Sequence, residues 1–300
     1  MKVVYDLIII GSGPAGINSG IYAARYKLKT LIIGEINGGM AASAHEICNL
    51  ISYKTIKGFE FAMKLKEQIE HLGVKIISKK VVDIKKDKLF EVNVEDEIFF
   101  SKKIIFATGS EKRKLNIKDE GKYVGRGISY CATCDAAFFK NKIVSVVGGS
   151  DAALTAALLL SEFASKVYLI YRKDKFFRAE PAWVEAVEKN EKIQTMFNLN
   201  VIELFGEKFL EKIKLDNGLI LDASGLFIEI GSNPSSNLAS QLGVNLENNF
   251  IIVDINQETN IKGVFAAGDV TNNNLKQIIT AAAGGAIATT QIYKEIKSDV

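Results

Sequence analysis

The chain has 300 residues, of which 48% are hydrophobic and 24% charged, with 24 glycines and only 3 prolines. That balance describes a globular α/β protein and excludes a disordered or fibrous one. Lys and Arg number 38 against 35 Asp and Glu, a net charge of +3 spread without a block of like charge, so neither a nucleic acid nor a membrane is indicated as a partner. At this length two domains of ordinary size are expected. Residues 1–6 lead directly into an apolar strand without a basic region, a cleavage site or a membrane-length apolar span. The three cysteines are too few for a secreted disulfide framework, and a cytoplasmic protein is expected.

In chain order, Val3 to Ile10 reads as a buried parallel strand, followed by Gly11-Ser12-Gly13-Pro14-Ala15-Gly16 and a helical run from Ile17 to Tyr26. Strand, glycine turn and helix in this order are the dinucleotide fingerprint. Gly11 permits the tight turn, Gly13 admits a pyrophosphate to the backbone, and Gly16 lets helix and strand pack closely. The phosphates would sit on the helix N-terminus. A second strand, Thr30 to Ile33, runs through Gly34 to Glu35, an acid placed to hydrogen-bond a ribose, and Gly38-Gly39-Met40 continues the loop. Phe59 to His71 has the apolar spacing of a packing helix. Residues Val74 to Phe100 suggest a small antiparallel insertion, and Lys103 to Phe106 another strand, closed by Ala107-Thr108-Gly109 where a backbone could cross a bound cofactor.

Cys131-Ala132-Thr133-Cys134-Asp135 stands next. Two sulfurs at this spacing can close a small disulfide ring, and the adjacent carboxyl group can exchange the proton each sulfur needs. The same spacing also suits half of a zinc site, with His45 and Cys48 as the other half, or an inert buried pair. Immediately afterwards the first pattern repeats. Lys142 to Val147 is a strand, Gly148-Gly149-Ser150-Asp151-Ala152-Ala153 a second dinucleotide turn, Leu154 to Phe163 a helix and Lys166 to Ile170 a strand. This last strand ends in Tyr171-Arg172-Lys173, with Arg178 a few residues on. Basic side chains replace the acid, as a 2′-phosphate requires, so NADP(H) is expected over NAD(H). Beyond Ile193 the chain reads as strands, with Asn217-Gly218 as a hairpin turn between Glu211–Leu215 and Leu219–Leu221. Gly225 to Gly231 reads as the strand leaving the second domain, and Ser232-Asn233-Pro234 as a turn. Gly263 to Asp269 would deliver Gly268 and Asp269 to the ribityl and phosphate region of a cofactor. Lys276-Gln277 and a small-residue helix, Ala281 to Thr290, complete the chain.

Taken together, the two glycine turns, Ala107-Thr108-Gly109, the Cys131–Asp135 motif, the basic cluster and Gly263–Asp269 resemble the low-molecular-weight, bacterial and archaeal type of thioredoxin reductase over essentially the whole length. The resemblance implies two Rossmann-like α/β domains, the second inserted into the first. FAD would be bound by residues 1–110 and 242–300, and NADPH by residues 111–241, which also carry the redox disulfide. It implies FAD contacts from Gly11 to Gly16, Gly34, Glu35, Gly38, Gly39, Met40, Asn49, Ala107 to Gly109, Gly268, Asp269, Lys276, Gln277 and Ile278. NADPH contacts are implied for Gly148 to Ala153, Arg172, Lys173 and Arg178. It implies further a homodimer whose two domains rotate between two orientations, and thioredoxin as the protein substrate. Cys134 would be the sulfur nearer the flavin, Cys131 the one that attacks the partner, and Asp135 the acid and base. Met40, Cys48, Ser150, Tyr171, Ser232, Lys276 and one extra residue before Arg178 depart from the family pattern. A related flavin-dependent reductase with another donor, such as reduced ferredoxin, or another protein partner is the alternative, and a non-catalytic FAD- or NADP-binding protein a remoter one.

Overall fold

The computed structural model describes residues 3–35, 38–44 and 47–298. The first two residues of the N-terminal segment and His45, named with Cys48 as the other half of a zinc site, lie outside the described residues. The chain divides into two compact units. One comprises Met1–Ala42, Glu46–Glu111 and Asn233–Val300; the other comprises Ser43–His45 and Lys112–Ser232.

The first unit is built on a seven-stranded sheet. Its parallel part runs Lys75–Ile77, Thr30–Ile33, Val4–Ile10, Glu97–Phe106, and on the far side Val264–Ala266. Strand Glu97–Phe106 changes partner along its length. Its first half pairs antiparallel with Phe90–Val94, while Ile104 to Phe106 pair parallel with Val264 to Ala266. Only Val81–Lys86, Phe90–Val94 and that first half form the antiparallel insertion; Lys75–Ile77, expected there too, pairs parallel with Thr30–Ile33 after helix Gly58–His71. Alternation across the pleat sends successive residues to opposite faces. Leu7, Ile9, Ile32, Ile105 and Phe265 pack under helices Pro14–Arg25 and Ile278–Ser298, whereas Ile8, Ile10, Phe106, Ala239 and Val244 form the core of the other face.

Ala239 and Val244, buried in that core, explain where the chain re-enters the first unit. The crossing falls at Ser232–Asn233 rather than at residue 241, because helix Asn237–Gln241 packs against the first unit's sheet. Ser232–Pro234 is extended rather than a turn. The Pro234 ring disfavours a helical conformation in the residue before it.

The second unit repeats the plan on a five-stranded parallel sheet, ordered Ile193–Phe197, Lys166–Tyr171, Ile143–Val147, Gly225–Ile228, Ile128–Ser129. Val144 and Val146 face helix Asp151–Phe163, while Val147, Ile170 and Ile228 face a three-stranded antiparallel sheet that supplies Leu204, Ile213 and Leu221. The Asn217-Gly218 hairpin closes as expected, with the Leu215 N–H donating to the Leu219 carbonyl at 2.9 Å. Among the described residues no helix is long and apolar enough to cross a membrane.

Lys103 is nearly buried on the helical face of the first sheet and forms an ion pair with Glu295 of the last helix. Removing one member of a fully buried pair costs about 3–5 kcal/mol. Because Glu295 keeps some exposure, Lys103→Ala is expected to cost about 2 kcal/mol in urea unfolding. A Lys103→Met, Glu295→Gln double variant is expected to recover most of that loss, since it leaves no orphaned charge.

Candidate functional site

All parallel strands of the first unit end at one edge. The Gly11 N–H donates to the Ile33 carbonyl (2.8 Å), Ala107 N–H to Ile10 (2.8 Å) and Ala267 N–H to Phe106 (2.9 Å), so Gly11, Gly34, Ala107 and Gly268 emerge side by side. The turn is too tight for side chains. A Cβ on Gly11 would lie 2.2 Å from the Ala107 carbonyl oxygen, and one on Gly16 1.9 Å from that of Gly11. Ser12 Oγ donates to the Glu35 carbonyl oxygen and ties the turn to the end of the second strand. Gly13 is open on its Cβ side, where the nearest atom is the Gly39 Cα at 4.0 Å, so two glycines face each other and leave backbone accessible. A cleft of about 700 Å³ opens at this edge, walled in part by Gly11, Gly34, Lys79, Val81, Thr108 and Asn237.

Two helix N-termini converge on the same edge. A Cβ on Gly268 would lie 3.0 Å from the Ala15 Cβ and 3.6 Å from that of Ala281. The first turns of Pro14–Arg25 and Ile278–Ser298 therefore both approach Gly268-Asp269. Helix N-termini carry unpaired N–H groups and partial positive charge, which suits an anionic ligand. Burial pushes the Asp269 carboxyl above its ordinary range, with Lys276 opposing the shift; burial likewise lowers Lys276, with Asp269 opposing. The Lys276 ammonium donates to the Thr271 carbonyl oxygen and sits 4.2 Å from the Phe250 ring centroid. Asn49 Nδ2 donates to Gln277 Oε1 at 3.1 Å, bringing two of the expected residues together just before the last helix. The Met40 sulfur accepts from Ser110 Oγ at 3.2 Å. A glycine cradle, a cleft and converging helix N-termini fit a dinucleotide.

The second unit repeats this edge in its backbone hydrogen bonds and in the close approach at the first glycine. Gly148 N–H donates to the Ile170 carbonyl (3.0 Å), Glu229 N–H to Val147 (2.8 Å), and a Cβ on Gly148 would lie 2.2 Å from the Glu229 carbonyl oxygen. By this register Gly148 matches Gly11, Ser150 matches Gly13, Ala153 matches Gly16, and Arg172 stands where Glu35 does. Ser150 forms a parallel bridge with Arg178, and Asp151 Oδ1 accepts the Glu180 N–H at 2.6 Å, so the expected Arg178 is carried beside the turn. Arg172, Lys173 and Arg178 are exposed.

Three features of this edge escape the sequence reading. The Tyr171 ring lies over Gly149, where a Cβ would come within 2.4 Å of it, and is stacked on Phe176 at 5.8 Å. Lys175 joins Lys173 beside the exposed Phe177 ring, at 5.3 and 5.0 Å. Glu229 is buried and paired with Lys112; burial raises its carboxyl pKa against the opposing lysine. Tyr171 and the residue added before Arg178 are the departures in the sequence that fall on the segment of the aromatic pair.

Cys131 and Cys134 are joined in a disulfide, with Cα atoms 5.4 Å apart. Cys131 caps the short helix Ala132–Asp135, and its sulfur accepts the Cys134 N–H at 3.2 Å. An N–H aimed at a sulfur favours its thiolate when the pair is reduced. Cys134 is exposed and Cys131 and Asp135 half-buried. The disulfide takes both sulfurs of the motif, while Cys48 is exposed in the first unit and His45 lies outside the described residues.

Two turns of one plan on two sheets, with a two-cysteine ring on a short helix, define a dinucleotide-binding α/β protein with a dithiol centre. Residues 5–285 match the family described as pyridine nucleotide-disulphide oxidoreductase. The chain is similar to the thioredoxin reductase of Peptoclostridium acidaminophilum, with 36% identity covering 100% of this chain and 99% of the relative. It is similar also to that of Ureaplasma parvum serovar 3, at 38% identity covering 95% and 94%. The crystal structure of Lactococcus lactis thioredoxin reductase in its FR conformation superposes with a TM-score of 0.93, at 38% identity, over 98% of this chain and 99% of that one. The chain belongs to the pyridine nucleotide-disulphide oxidoreductase family.

A carboxyl group raised in the folded state binds its proton where the unfolded chain has released it, so folding stability falls as pH rises through that window. Asp269→Asn is therefore expected to raise the urea midpoint at neutral pH without added nucleotide. The gain should close as pH falls through the ordinary carboxylate range, near 3.8 for an unperturbed aspartate. Unfolding curves at several pH values check the sign.

Proposed function

We propose that this chain is a thioredoxin reductase that passes electrons from NADPH through FAD and the Cys131–Cys134 pair to the disulfide of thioredoxin. The disulfide held at a helix N-terminus, in a chain with two dinucleotide turns, is the observation that carries the reading. The first unit is the FAD side. Gly11 to Gly16 with Gly38 and Gly39 admit the pyrophosphate, Glu35 takes a ribose hydroxyl, and Ala107 to Gly109 line the crossing. Gly268, Asp269 and Ile278 meet the ribityl and phosphate region, with Met40, Asn49, Lys276 and Gln277 around it. The second unit, Lys112–Ser232, is the NADPH side. Gly148 to Ala153 take the pyrophosphate, and Arg172, Lys173 and Arg178 the 2′-phosphate, whose charge and planar acceptors suit guanidinium and ammonium donors.

The bound cofactors supply hydride chemistry and the two electrons. Two electrons and two protons open the Cys131–Cys134 bond to a dithiol. The Cys131 thiolate, favoured by the Cys134 N–H, attacks a sulfur of the thioredoxin disulfide and forms a mixed disulfide, and the released thioredoxin sulfur takes a proton. Cys134 then attacks Cys131, restoring the internal disulfide and releasing the second thioredoxin sulfur, with Asp135 accepting and returning the protons. The chain acts as a homodimer in the cytoplasm. The exposed basic side chains at the second turn favour NADPH over another donor.

Anaerobic titration with NADPH, followed by visible absorption, tests the assignment. A flavin band that bleaches within a few equivalents supports it; a band bleached only by a chemical reductant overturns NADPH as donor. Cys134→Ser is expected to abolish thioredoxin reduction while leaving bleaching by NADPH intact. Replacing Arg172 and Lys173 together by alanine is expected to raise KM for NADPH by about tenfold or more and to change that for NADH by less than about twofold, as the loss of phosphate-specific contacts requires.

A further inference from the structure

The residue before Cys131 is tied to a buried carboxylate that the reaction does not use. Glu120 is 6% exposed and begins the short helix Glu120–Tyr123. Its Oε1 accepts the Leu115 N–H at 3.0 Å, its Oε2 accepts the Asn116 N–H at 2.7 Å, and the Tyr130 hydroxyl donates to Oε1 at 2.5 Å. Burial and the neighbouring Glu120 carboxylate together hold the Tyr130 hydroxyl protonated far above its ordinary range, so it stays a donor. The carboxylate also closes a strained loop, since Asn116 and Asp119 both adopt left-handed φ, at +59° and +64°. Such residues persist where the surroundings over-determine them.

Tyr130 is thereby held at two points. Its ring packs with Leu115 and Ile117 on the core under the second sheet, and its hydroxyl ends on Glu120. On the other side of the same peptide, Ser129 lies in the parallel strand Ile128–Ser129. Its Oγ accepts the Cys131 N–H at 3.0 Å and donates to the Cys131 carbonyl at 3.2 Å. The segment entering the disulfide has its backbone fixed by Ser129 and its side chain by Glu120.

We propose that Glu120 and Tyr130 form a positioning clamp that holds the Cys131 end of the motif and so sets the dithiol–disulfide equilibrium of Cys131–Cys134. The covalent ring already restrains the oxidised form. The clamp acts on the dithiol, which would otherwise gain conformational freedom, and it keeps the two thiols at closing distance. Releasing it stabilises the dithiol alone and shifts the equilibrium toward reduction. The proposal rests on the redox reading of this pair, and its test needs neither NADPH nor thioredoxin, so failure of that reading leaves the measurement standing.

The equilibrium is read by incubating the full-length flavoprotein without oxygen in mixtures of reduced and oxidised dithiothreitol, then trapping and counting protein thiols. Dithiothreitol gives up two electrons and two protons to the protein disulfide and closes to its own cyclic disulfide. Tyr130→Phe keeps the packed ring and removes only the hydroxyl. It is expected to shift the equilibrium constant toward the dithiol by about threefold or more, which is about 14 mV for a two-electron couple. Glu120→Gln is expected to shift it in the same direction, and the double variant to shift it less than the product of the two single effects, because both break one contact. A purely structural role for Tyr130 would lower the melting temperature and leave this constant in place. The proposal is overturned if Tyr130→Phe changes the constant by less than about threefold or moves it toward the disulfide, or if Glu120→Gln leaves the constant unchanged.

Discussion

The rest of the structure depends on a close approach of backbone to backbone at the end of the first strand of each sheet. The Ala107 carbonyl occupies the space a side chain on Gly11 would need, and the Glu229 carbonyl does the same at Gly148. Only glycine permits that approach, and Gly11 and Gly148 also hold positive φ, at +109° and +152°. With the crossing strand drawn against the turn, the helix that follows begins directly over the sheet edge. Its unpaired N–H groups then face the same edge from which the neighbouring strands release their chains. A larger residue at either position would separate strand from turn and move the helix N-terminus away from the cleft.

On that shared backbone the two edges have diverged in what they present. The first offers Ser12 bonded to Glu35 and the small Ala107, an arrangement with room under the turn and an acid at the strand end. The second has no side chain at Gly149 because the Tyr171 ring fills the space, and it sets Arg172 where the acid stood. In place of Ala107 it buries Glu229, whose desolvation Lys112 opposes without cancelling. Burying a carboxylate without such a partner would be far more costly. The same fold thus carries an acid at the strand end in one unit and a basic, aromatic edge in the other, so charge rather than topology distinguishes the two edges.

The dithiol centre is placed by different means. It sits on a single helical turn, too short to be stable alone, and owes its position to the strand before it and the helix after it. Ser129 brings the rigidity of the parallel sheet to Cys131, and Glu120 brings the loop that enters the second unit. A fixed backbone around a half-buried Cys131 and an exposed Cys134 suits thiol–disulfide exchange with another protein, because the reacting sulfurs must be reachable and their geometry already set.

Much of the site was legible in the residues. Glycine turns between an apolar strand and a helix have one common physical use, two cysteines three positions apart can close a ring, bind a metal or stay inert, and alternating apolar runs mark buried strands. Strand direction was less legible: Lys75–Ile77 reads alone as part of a meander, yet pairs parallel because helix Gly58–His71 returns the chain to the same edge. Residues 233–241 read as part of the second domain, whereas burial of Ala239 beside Ile8 and Phe106 assigns them to the first unit. By itself the sequence determined the class of fold, the two turns and the cysteine pair, because each depends on contacts within a few residues of chain. Only the tertiary structure decided that Tyr171 covers Gly149, that Lys112 pairs with Glu229 and that Glu120 holds Tyr130. These pairings join residues 10 to 117 positions apart, and no local propensity encodes which side chains a folded sheet will bring together.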